Sequence, residues 1–325
     1  MNRTLLTSIA LGLTLSAGLA PMAHADDFPS KPITLLIPVA PGGTTDIAGR
    51  ALAKQLKDKL GQSVIVDNKP GASGSIANSA VARALPDGYT LLLSYEGFHA
   101  GNPAIKRNLP WDPVKSFTPI AEVIRGPHLI LVPASSPAKT LRELIDQSRK
   151  APGKLSYASS GIGSIQHFGA ELLQLKTGTK MVHVPYSGAA PAMQDLLAGR
   201  IDLFITTPPT AMSHVEAGTL RALAITSAKR HPNLPNVPTT AEAGLPEFTL
   251  DAWFSIFGPA GMPKPVVAKL AKAIEDVVTS AEFRRDMESQ GTNASYRSPD
   301  EVASILRDDL KKWADLVKAA NISVD

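Results

Sequence analysis

The chain has 325 residues, with 33 lysines and arginines, 29 aspartates and glutamates, and no cysteine. Its formal net charge of +4 is small and its basic residues are scattered, so we do not expect it to bind nucleic acid. The lack of cysteine excludes disulfides and a lipid attached to an N-terminal cysteine, and a chain of this length can bury a core without such cross-links.

The N-terminal segment predicts export. Arg3 gives a short basic start, residues 5–19 form an apolar run, and Ala23-His24-Ala25 supplies a cleavage pattern before Asp26. The apolar run is too short to span a bilayer, and small residues follow it. We therefore expect residues 1–25 to be a cleavable signal peptide, the mature chain to lie in the periplasm, and no later segment to insert into the membrane.

Strand-like and helix-like segments alternate along most of the mature sequence, which is typical of an α/β fold with largely parallel sheets. The predicted strands are Ile33–Ile37, Val64–Asp67, Thr90–Ser94, Leu129–Val132, Leu155–Ala158, Met181–Val184, Asp202–Ile205 and Leu220–Ala224. The helices predicted between them are Ile47–Leu60, Ser75–Ala84, Leu141–Ala151, Ser164–Lys176, Ala190–Ala198 and Thr210–Ala217. After Pro238 the pattern predicts a mostly helical tail, with helices at Pro263–Thr279, Ala281–Gln290 and Pro299–Ala319.

Two stretches are candidate crossing points between domains, one around residues 125–133 and the other around residues 224–230. A chain that leaves one domain, completes a second and then returns forms a two-stranded hinge beside a cleft. We therefore expect lobe 1 to comprise residues 26–126 and 228–325, and lobe 2 to comprise residues 127–227.

The first candidate binding loop follows the apolar run Ile33–Ile37 and leads into a helix. Its residues are Pro41, Gly42, Gly43, Thr44 and Thr45, with Asp46 at the helix start. A strand, a glycine turn and a helix start aim unpaired backbone N–H groups and the positive end of a helix dipole at one point. Two glycines without Cβ allow a ligand to approach the backbone closely. This pattern favours holding an anion over transforming one, although an ordinary βα turn is an alternative.

A second loop repeats this arrangement in the other predicted lobe. Its residues are Ser159, Ser160, Gly161, Gly163 and Ser164, and His167 follows in the next helix. The serine hydroxyls offer donors to a ligand and a cap for the helix. Two helix starts that face each other across a cleft would hold a carboxylate from both sides, but each loop alone could also be an ordinary turn.

Other candidate ligand-binding residues lie at the predicted strand ends. Phe98 and His99 follow the third strand and should reach the edge where open α/β sheets bind ligands. Ser187 opens another helix and offers a hydroxyl donor, while turn chemistry explains it about as well. Trp253 lies in a glycine- and proline-rich region and is a candidate cover for a ligand, with a core position as the alternative.

Catalytic motifs are mostly absent from the sequence. The pair Gly161-x-Gly163 lacks the third glycine of a dinucleotide-binding loop, and neither H-E-x-x-H nor a phosphate-loop GK[ST] occurs. We therefore predict no cofactor, no metal site and no enzymatic activity. The alternative is a secreted hydrolase that uses His167 with Ser164 or Ser187, although no set of nucleophile, base and orienting group is recognisable.

Several segments together resemble the Bug family of periplasmic receptors, the TctC-like substrate-binding proteins of tripartite tricarboxylate transporters. They are PVAPGGTTDIAGR, DNKPGASGSIA, ALPDGYTLLL, FTPIAEV, YASSGIGSIQHFGAELL, VPYSGAAPAMQDLLAGRIDL, LRALAITSAKR and VPTTAEAGLPEF. The resemblance covers essentially the whole mature chain. It implies a two-lobed type II periplasmic-binding-protein (Venus-flytrap) fold, a monomer, and two loops that hold a ligand carboxylate through backbone amides and ordered water.

The resemblance implies a receptor that captures a small organic carboxylate and delivers it to membrane transporter subunits. A ligand sensor for a membrane signalling partner is the alternative, since it would use the same pocket. One segment departs from the family, which often carries small polar residues before a His-Ala-x-Asn-Pro motif. Here Glu96 and Phe98 stand in that stretch. They would reshape the distal pocket, and Phe98 together with Trp253 makes an aromatic carboxylate conceivable beside di- and tricarboxylates.

Overall fold

The computed structural model describes residues 28–322, so the predicted signal peptide lies outside the described residues. The strands are β1 Ile33–Ile37, β2 Val64–Asn68, β3 Thr90–Tyr95, β4 Phe117–Pro127, β5 Leu129–Pro133, β6 Ser156–Ser159, β7 Val182–Pro185, β8 Leu203–Thr206, β9 Leu220–Ile225, β10 Asp251–Pro259 and β11 Asn293–Arg297. The helices are α1 Thr44–Leu60, α2 Ser75–Ala82, α3 Asn102–Ile105, α4 Leu141–Lys150, α5 Ile165–Thr177, α6 Ala189–Leu197, α7 Met212–Glu216, α8 Lys264–Val278, α9 Ala281–Ser289 and α10 Pro299–Ala319.

The strands form two mixed sheets with helices packed on them. The first sheet has the order β11-β4-β10-β3-β1-β2. In it, β1 runs parallel to both β2 and β3, whereas β10 runs antiparallel to both β3 and β4. The second has the order β7-β6-β8-β5-β9, with β6 parallel to β7 and β8. We call the first sheet with its helices lobe 1 and the second lobe 2. This arrangement confirms the predicted two-lobed α/β fold.

Two connections join the lobes. Between β4 of lobe 1 and β5 of lobe 2 there is one residue, His128. The chain returns from β9 of lobe 2 to β10 of lobe 1, and on the way Leu234 and Val237 pack against the core of lobe 2. The lobe boundaries expected from the sequence stay predictions.

The sequence patterns did not predict three strands of lobe 1, which are β4, β10 and β11. The three helices predicted after Pro238 are confirmed as α8, α9 and α10, but this tail also contains β10 and β11, which the prediction omitted. In β10 every residue from Ala252 to Pro259 is buried, and a continuous apolar run lacks the alternation that identifies a half-buried strand. Pro119 and Gly126 interrupt the pattern of β4, and Pro119 lies beside a register shift in its pairing with β10.

Three helices that begin beside the cleft between the lobes start at a glycine, whereas α5, which also begins there, is capped by Ser164. The N-cap residues of α1, α2 and α6 are Gly43, Gly74 and Gly188, and none of these helices has a side-chain cap. By contrast, α4 and α10 begin with capping boxes formed by Thr140 and Ser298. The glycine starts leave first-turn N–H groups without a side-chain acceptor at the cleft.

Within residues 28–322, no helix combines the length and apolar character needed to cross a bilayer.

Candidate ligand-binding cleft

The first loop joins β1 to α1. Gly43 has extended backbone (φ −85°, ψ 168°), and Thr44 and Thr45 follow it as buried residues of the first helical turn. That turn borders the cleft and has no side-chain cap, so its N–H groups and the positive end of the helix dipole are available to a ligand there.

Asp46 stabilises this loop through hydrogen bonds on the side away from the cleft. Its Oδ2 accepts hydrogen bonds from the Gly42 N–H at 3.0 Å and from Arg50 Nε at 3.1 Å. Burial disfavours the charged carboxylate, but the hydrogen bonds from Arg50 and Gly42 outweigh it and hold the pKa of Asp46 below its usual value. The negative charge is therefore paired within the loop and does not line the cleft.

The second loop joins β6 to α5 and presents Ser160 to lobe 1. The Ser160 hydroxyl donates to Gln166 Oε1 at 2.8 Å, and its oxygen lies 3.0 Å from that of Tyr95 in β3. Ser164 caps α5 by accepting from the His167 N–H at 3.2 Å. The loop thus reaches the cleft through one hydroxyl and the start of α5.

His167 lies behind the second loop. Its Nδ1 accepts from the Gly163 N–H at 3.2 Å, and its ring stacks on His183 with a centroid distance of 4.2 Å. Burial, assisted by the nearby His183, lowers the pKa of His167 to about 3. His167 is therefore neutral at physiological pH and positions the loop instead of offering a charge to a ligand.

A third segment brings the start of α6 against the first loop. The Ala40 N–H donates to the carbonyl of Ser187 at 3.2 Å, which joins lobe 1 to lobe 2. A Cβ on Gly188 would lie 3.1 Å from the Ala40 nitrogen, so glycine allows this close approach without displacing the backbone of the first loop. The hydroxyl oxygens of Thr44 and Thr207 lie 2.5 Å apart and form another contact between the lobes.

Two cavities lie in this closed cleft. The smaller one lies at the start of α1, and we call it the proximal cavity. It encloses about 20 Å³, which is room for one water-sized group. It is lined by Val39, Gly43, Thr44, Thr45, Tyr95, His128, Ser160, Ile165, Gln166, Ala189, Thr207 and Phe254. The distal cavity encloses about 290 Å³. It is lined by Pro38, Gly71, Ala72, Ser73, Gly74, Phe98, Ser160, Gly161, Ile162, Pro185, Tyr186 and Ser187.

Neutral groups line both cavities. Among the described residues, those that line them include no Asp, Glu, Lys or Arg. Burial lowers the pKa of His128 to about 4, so this residue is also uncharged at neutral pH. Attraction for an anion would therefore come from backbone N–H groups, hydroxyls and helix dipoles.

The sequence profile of the tripartite tricarboxylate transporter family receptor (TctC) matches residues 48–322. The chain belongs to this family. Three solved structures are similar to this chain. Periplasmic binding protein BugD is 34% identical, with 91% of this chain and 99% of that chain covered and a TM-score of 0.87. An R. palustris protein with adipate is 36% identical (91% of this chain and 99% of that chain covered, TM-score 0.89), and MatC from Rhodopseudomonas palustris with bound malate is 33% identical (89% of this chain and 100% of that chain covered, TM-score 0.86). These comparisons confirm the recognised family and fold.

The TctC-family cleft contains only part of the predicted site. Gly43, Thr44, Thr45 and Ser160 line the proximal cavity, and Phe98, Gly161 and Ser187 line the distal cavity together with Ser160. The predicted residues that flank or support these walls are Pro41, Gly42, Asp46, Ser159, Gly163, Ser164 and His167.

The structure does not bring His99 and Trp253 into either cavity of this TctC-family protein. The His99 ring is fully buried and stacks on Phe257, with a centroid distance of 4.0 Å. The Trp253 indole Nε1 donates to Asp309 Oδ2 at 2.7 Å. Both side chains are therefore buried in the interior of lobe 1, where they pack against other residues of that lobe and do not reach the cleft.

Sequence reasoning did not select several residues that line the proximal cavity, among them Tyr95, Gln166, Thr207 and Phe254. Tyr95 and Phe254 are register partners on neighbouring strands β3 and β10, a relationship that needs the sheet order. Gln166 lies two residues after Ser164, the last residue of the predicted second loop, so its place in the first turn of α5 was the signal that could have identified it.

One serine–histidine contact bears on the hydrolase alternative. Ser159 Oγ lies 2.6 Å from His183 Nε2, but the serine side chain is fully buried and lines neither cavity. The same hydroxyl donates to the Gly161 carbonyl and accepts from the Gly161 N–H, both at 3.1 Å. Ser159 is thus part of the loop framework, and TctC is a family of receptors, which agrees with the predicted non-enzymatic role.

Proposed function

We propose that this protein is a periplasmic receptor that binds a small organic carboxylate in the cleft between its lobes. The observation that carries the proposal is the convergence of uncapped helix starts on two cavities with neutral linings. Gly43 and Ala189 bring the starts of α1 and α6 to the proximal cavity, and Gly74 brings the start of α2 to the distal one. Adipate and malate in related structures support the same ligand class.

The energetics require no charged side chain. Micromolar affinity corresponds to about −8 kcal/mol. Hydrogen bonds to a charged group contribute about 1.5–3 kcal/mol each, so a few N–H and hydroxyl donors suffice after the cost of ordering the ligand. Closure around the ligand would also remove water from these donors.

The direct test is calorimetry on the mature chain with adipate, malate, citrate and benzoate, using Gly43→Asp as the binding-deficient variant. A carboxylate at position 43 would cap α1 itself and repel a ligand anion. Gly43→Ala is the steric control, because a Cβ there has ordinary contacts, at 3.8 Å to Ala189 Cβ. Ser63→Asp is the charge control, on an exposed residue beyond the other end of α1.

We expect saturable binding of at least one carboxylate by wild type and Ser63→Asp, none by Gly43→Asp, and an intermediate affinity for Gly43→Ala, which measures the steric part of the effect. If Gly43→Asp bound the carboxylate with the affinity of wild type, the first loop would not be part of the binding site. A lack of binding by wild type to the whole panel would reject the proposed ligand class.

We further propose that the receptor delivers its ligand to the membrane subunits of a tripartite tricarboxylate transporter. The family description supports this partner. A strain that lacks the gene should lose uptake of the calorimetrically identified carboxylate. Wild-type protein should restore uptake, whereas Gly43→Asp should not. Uptake that is unchanged by deletion would favour the sensor alternative.

A further inference from the structure

One lysine lies directly behind the wall of the distal cavity. Lys106 follows the short helix α3, and its Nζ donates a hydrogen bond to the backbone carbonyl of Ala72 at 2.9 Å. Ala72 lines the distal cavity, whereas Lys106 does not. A single peptide group therefore separates the ammonium group from the space that a ligand would occupy.

The turn at residues 71–74 holds this lysine in a fixed place. Ala72 and Ser73 have φ of 47° and 55°, in the left-handed region that is strained for residues other than glycine. Donors from the far side stabilise the turn, since Asn102 Nδ2 donates to the carbonyl of Ser73 at 2.5 Å while Lys106 donates to that of Ala72. The position of the ammonium group relative to the cavity wall is thus set by two neighbouring hydrogen bonds.

Two charged pairs flank the distal cavity. On the lobe 2 side, Asp195 is paired with Arg200 at 2.8 Å. On the lobe 1 side, Asp67 is paired with Lys69 at 3.1 Å, just before the turn at residues 71–74. Each pair is neutral as a whole, so neither one gives the cavity a net attraction for an ion.

Lys106 has no such partner. Within residues 28–322 its ammonium group forms no ion pair, and its hydrogen bond goes to the neutral carbonyl of Ala72. Burial lowers the pKa of Lys106 because it disfavours the charged form, and no neighbouring carboxylate opposes this effect. An anionic group of a ligand in the distal cavity would therefore be a counter-ion that the protein itself does not supply.

We propose that Lys106 determines the charge selectivity of the distal cavity, favouring ligands with a second anionic group at the end remote from the starts of α1 and α6. This inference rests on the proposed function, since the first carboxylate would bind at those helix starts. An uncharged hydroxyl or amide at the distal end would gain hydrogen bonds from the lining but no Coulomb attraction. The lining itself is neutral, so the preference depends on this one cation.

The test is calorimetry on the wild-type mature chain with matched ligands. Each acid of the panel that has more than one carboxylate is paired with its terminal monoamide: adipate with adipamate, malate with malamate, and citrate with its monoamide. The amide keeps the size and planarity of the carboxylate and removes its charge. We expect the acid to bind about tenfold more tightly than its amide in about 20 mM salt, and the preference to shrink in about 0.5 M salt. Equal affinities in low salt would overturn the inference without the use of any variant.

Lys106→Gln assigns the preference to a residue, because glutamine keeps an N–H donor for the carbonyl of Ala72 and removes the charge. We expect its affinity for the acid to fall about tenfold and its affinity for the amide to change less than about twofold. Lys106→Arg should keep the preference. Arg107→Gln, on the next residue and outside both cavities, removes the same charge from an exposed site and is the matched control. A thermal melt of each variant checks the fold, and a Lys106→Gln protein that keeps the full preference would remove Lys106 from this role.

Benzoate in the same titrations separates the two levels of the proposal. Binding of benzoate without adipate, malate or citrate would overturn charge selectivity and leave the carboxylate receptor standing. If none of the four carboxylates binds, the proposed function fails, and the selectivity inference fails with it.

Discussion

The hydroxyl oxygens of Tyr95 in lobe 1 and Ser160 in lobe 2 lie 3.0 Å apart, where Ser160 borders both cavities of the cleft. Burial raises the pKa of Tyr95 above its ordinary value, so the phenol keeps its proton and can donate. Ser160 in turn donates to Gln166, which gives the pair a defined direction from lobe 1 into the start of α5. This chain of hydroxyls therefore fixes one lobe against the other at the centre of the site.

Tyr95→Phe should shift the receptor toward open conformations. The variant keeps the ring packed between Phe98 and Phe254 and removes one hydrogen bond between the lobes, which contributes about 0.5–1.5 kcal/mol. The closed population should therefore fall by roughly three- to tenfold. Because the chain contains no native cysteine, dyes placed on Ser63→Cys and Ser213→Cys would report the distance between lobes by energy transfer. Tyr89→Phe, away from the cleft, should leave the distance distribution unchanged, and an unchanged Tyr95→Phe distribution would contradict the prediction.

Gly97→Ala should impair closure through steric overlap. A Cβ at position 97 would overlap the backbone nitrogen of Ile165 at the start of α5, which cannot move like a flexible side chain. Overpacking of this kind costs roughly 1–3 kcal/mol, so the affinity for carboxylate should fall by about tenfold or more. Ser63→Ala, on an exposed residue of lobe 1 outside both cavities, is the control. Calorimetry on both variants provides the comparison, and equal affinities would show that the Gly97 contact does not limit closure.

Asp46→Asn should lower the free energy of unfolding by about 1 kcal/mol at pH 7, a reduced value because Arg50 is half exposed. The folded pKa of Asp46 lies below its unfolded value, so the stabilisation is present above about pH 4 and is lost as pH falls through the folded pKa. Urea unfolding at several pH values should show the difference from wild type shrinking in acid. Asp58→Asn, exposed on the same helix, is the control. A constant difference at all pH values would indicate lost packing instead of lost charge.

His99→Phe should make folding less sensitive to acid. Burial lowers the pKa of His99 to about 4, so between pH 6.5 and 4 the unfolded chain binds a proton that the folded chain does not. Wild-type stability therefore falls as pH decreases through this window, and His99 accounts for a slope of up to about 1.4 kcal/mol per pH unit. The variant should lose that part of the slope in urea unfolding. Measurements at pH 8 give the packing cost of the substitution, and an unchanged slope would contradict the assignment.

The sequence alone located the segments that form the cleft. The loops at residues 41–45 and 159–164 follow a local rule, since a strand, a glycine turn and a helix start create an anion-binding geometry regardless of the rest of the fold. Of these residues, Gly43, Thr44, Thr45 and Ser160 line the proximal cavity, and their part in ligand binding stays a prediction. The resemblance to TctC receptors supplied the two-lobed fold, which short-range patterns could not give.

The tertiary structure decided which side chain of each segment faces the cleft. Sequence reasoning selected Trp253, but its neighbour Phe254 lines the proximal cavity; likewise Phe98 lines the distal cavity and the adjacent His99 does not. Phe98 and His99 lie in the helical turn at residues 97–101, where successive side chains point in different directions. Trp253 and Phe254 are successive residues of β10 and point to opposite faces, so a shift of one residue exchanges core for cleft. That parity is set by pairing across the sheet, such as Phe254 with Tyr95, and by packing against helices from distant parts of the chain. Because those contacts are non-local, no short window of sequence contains them.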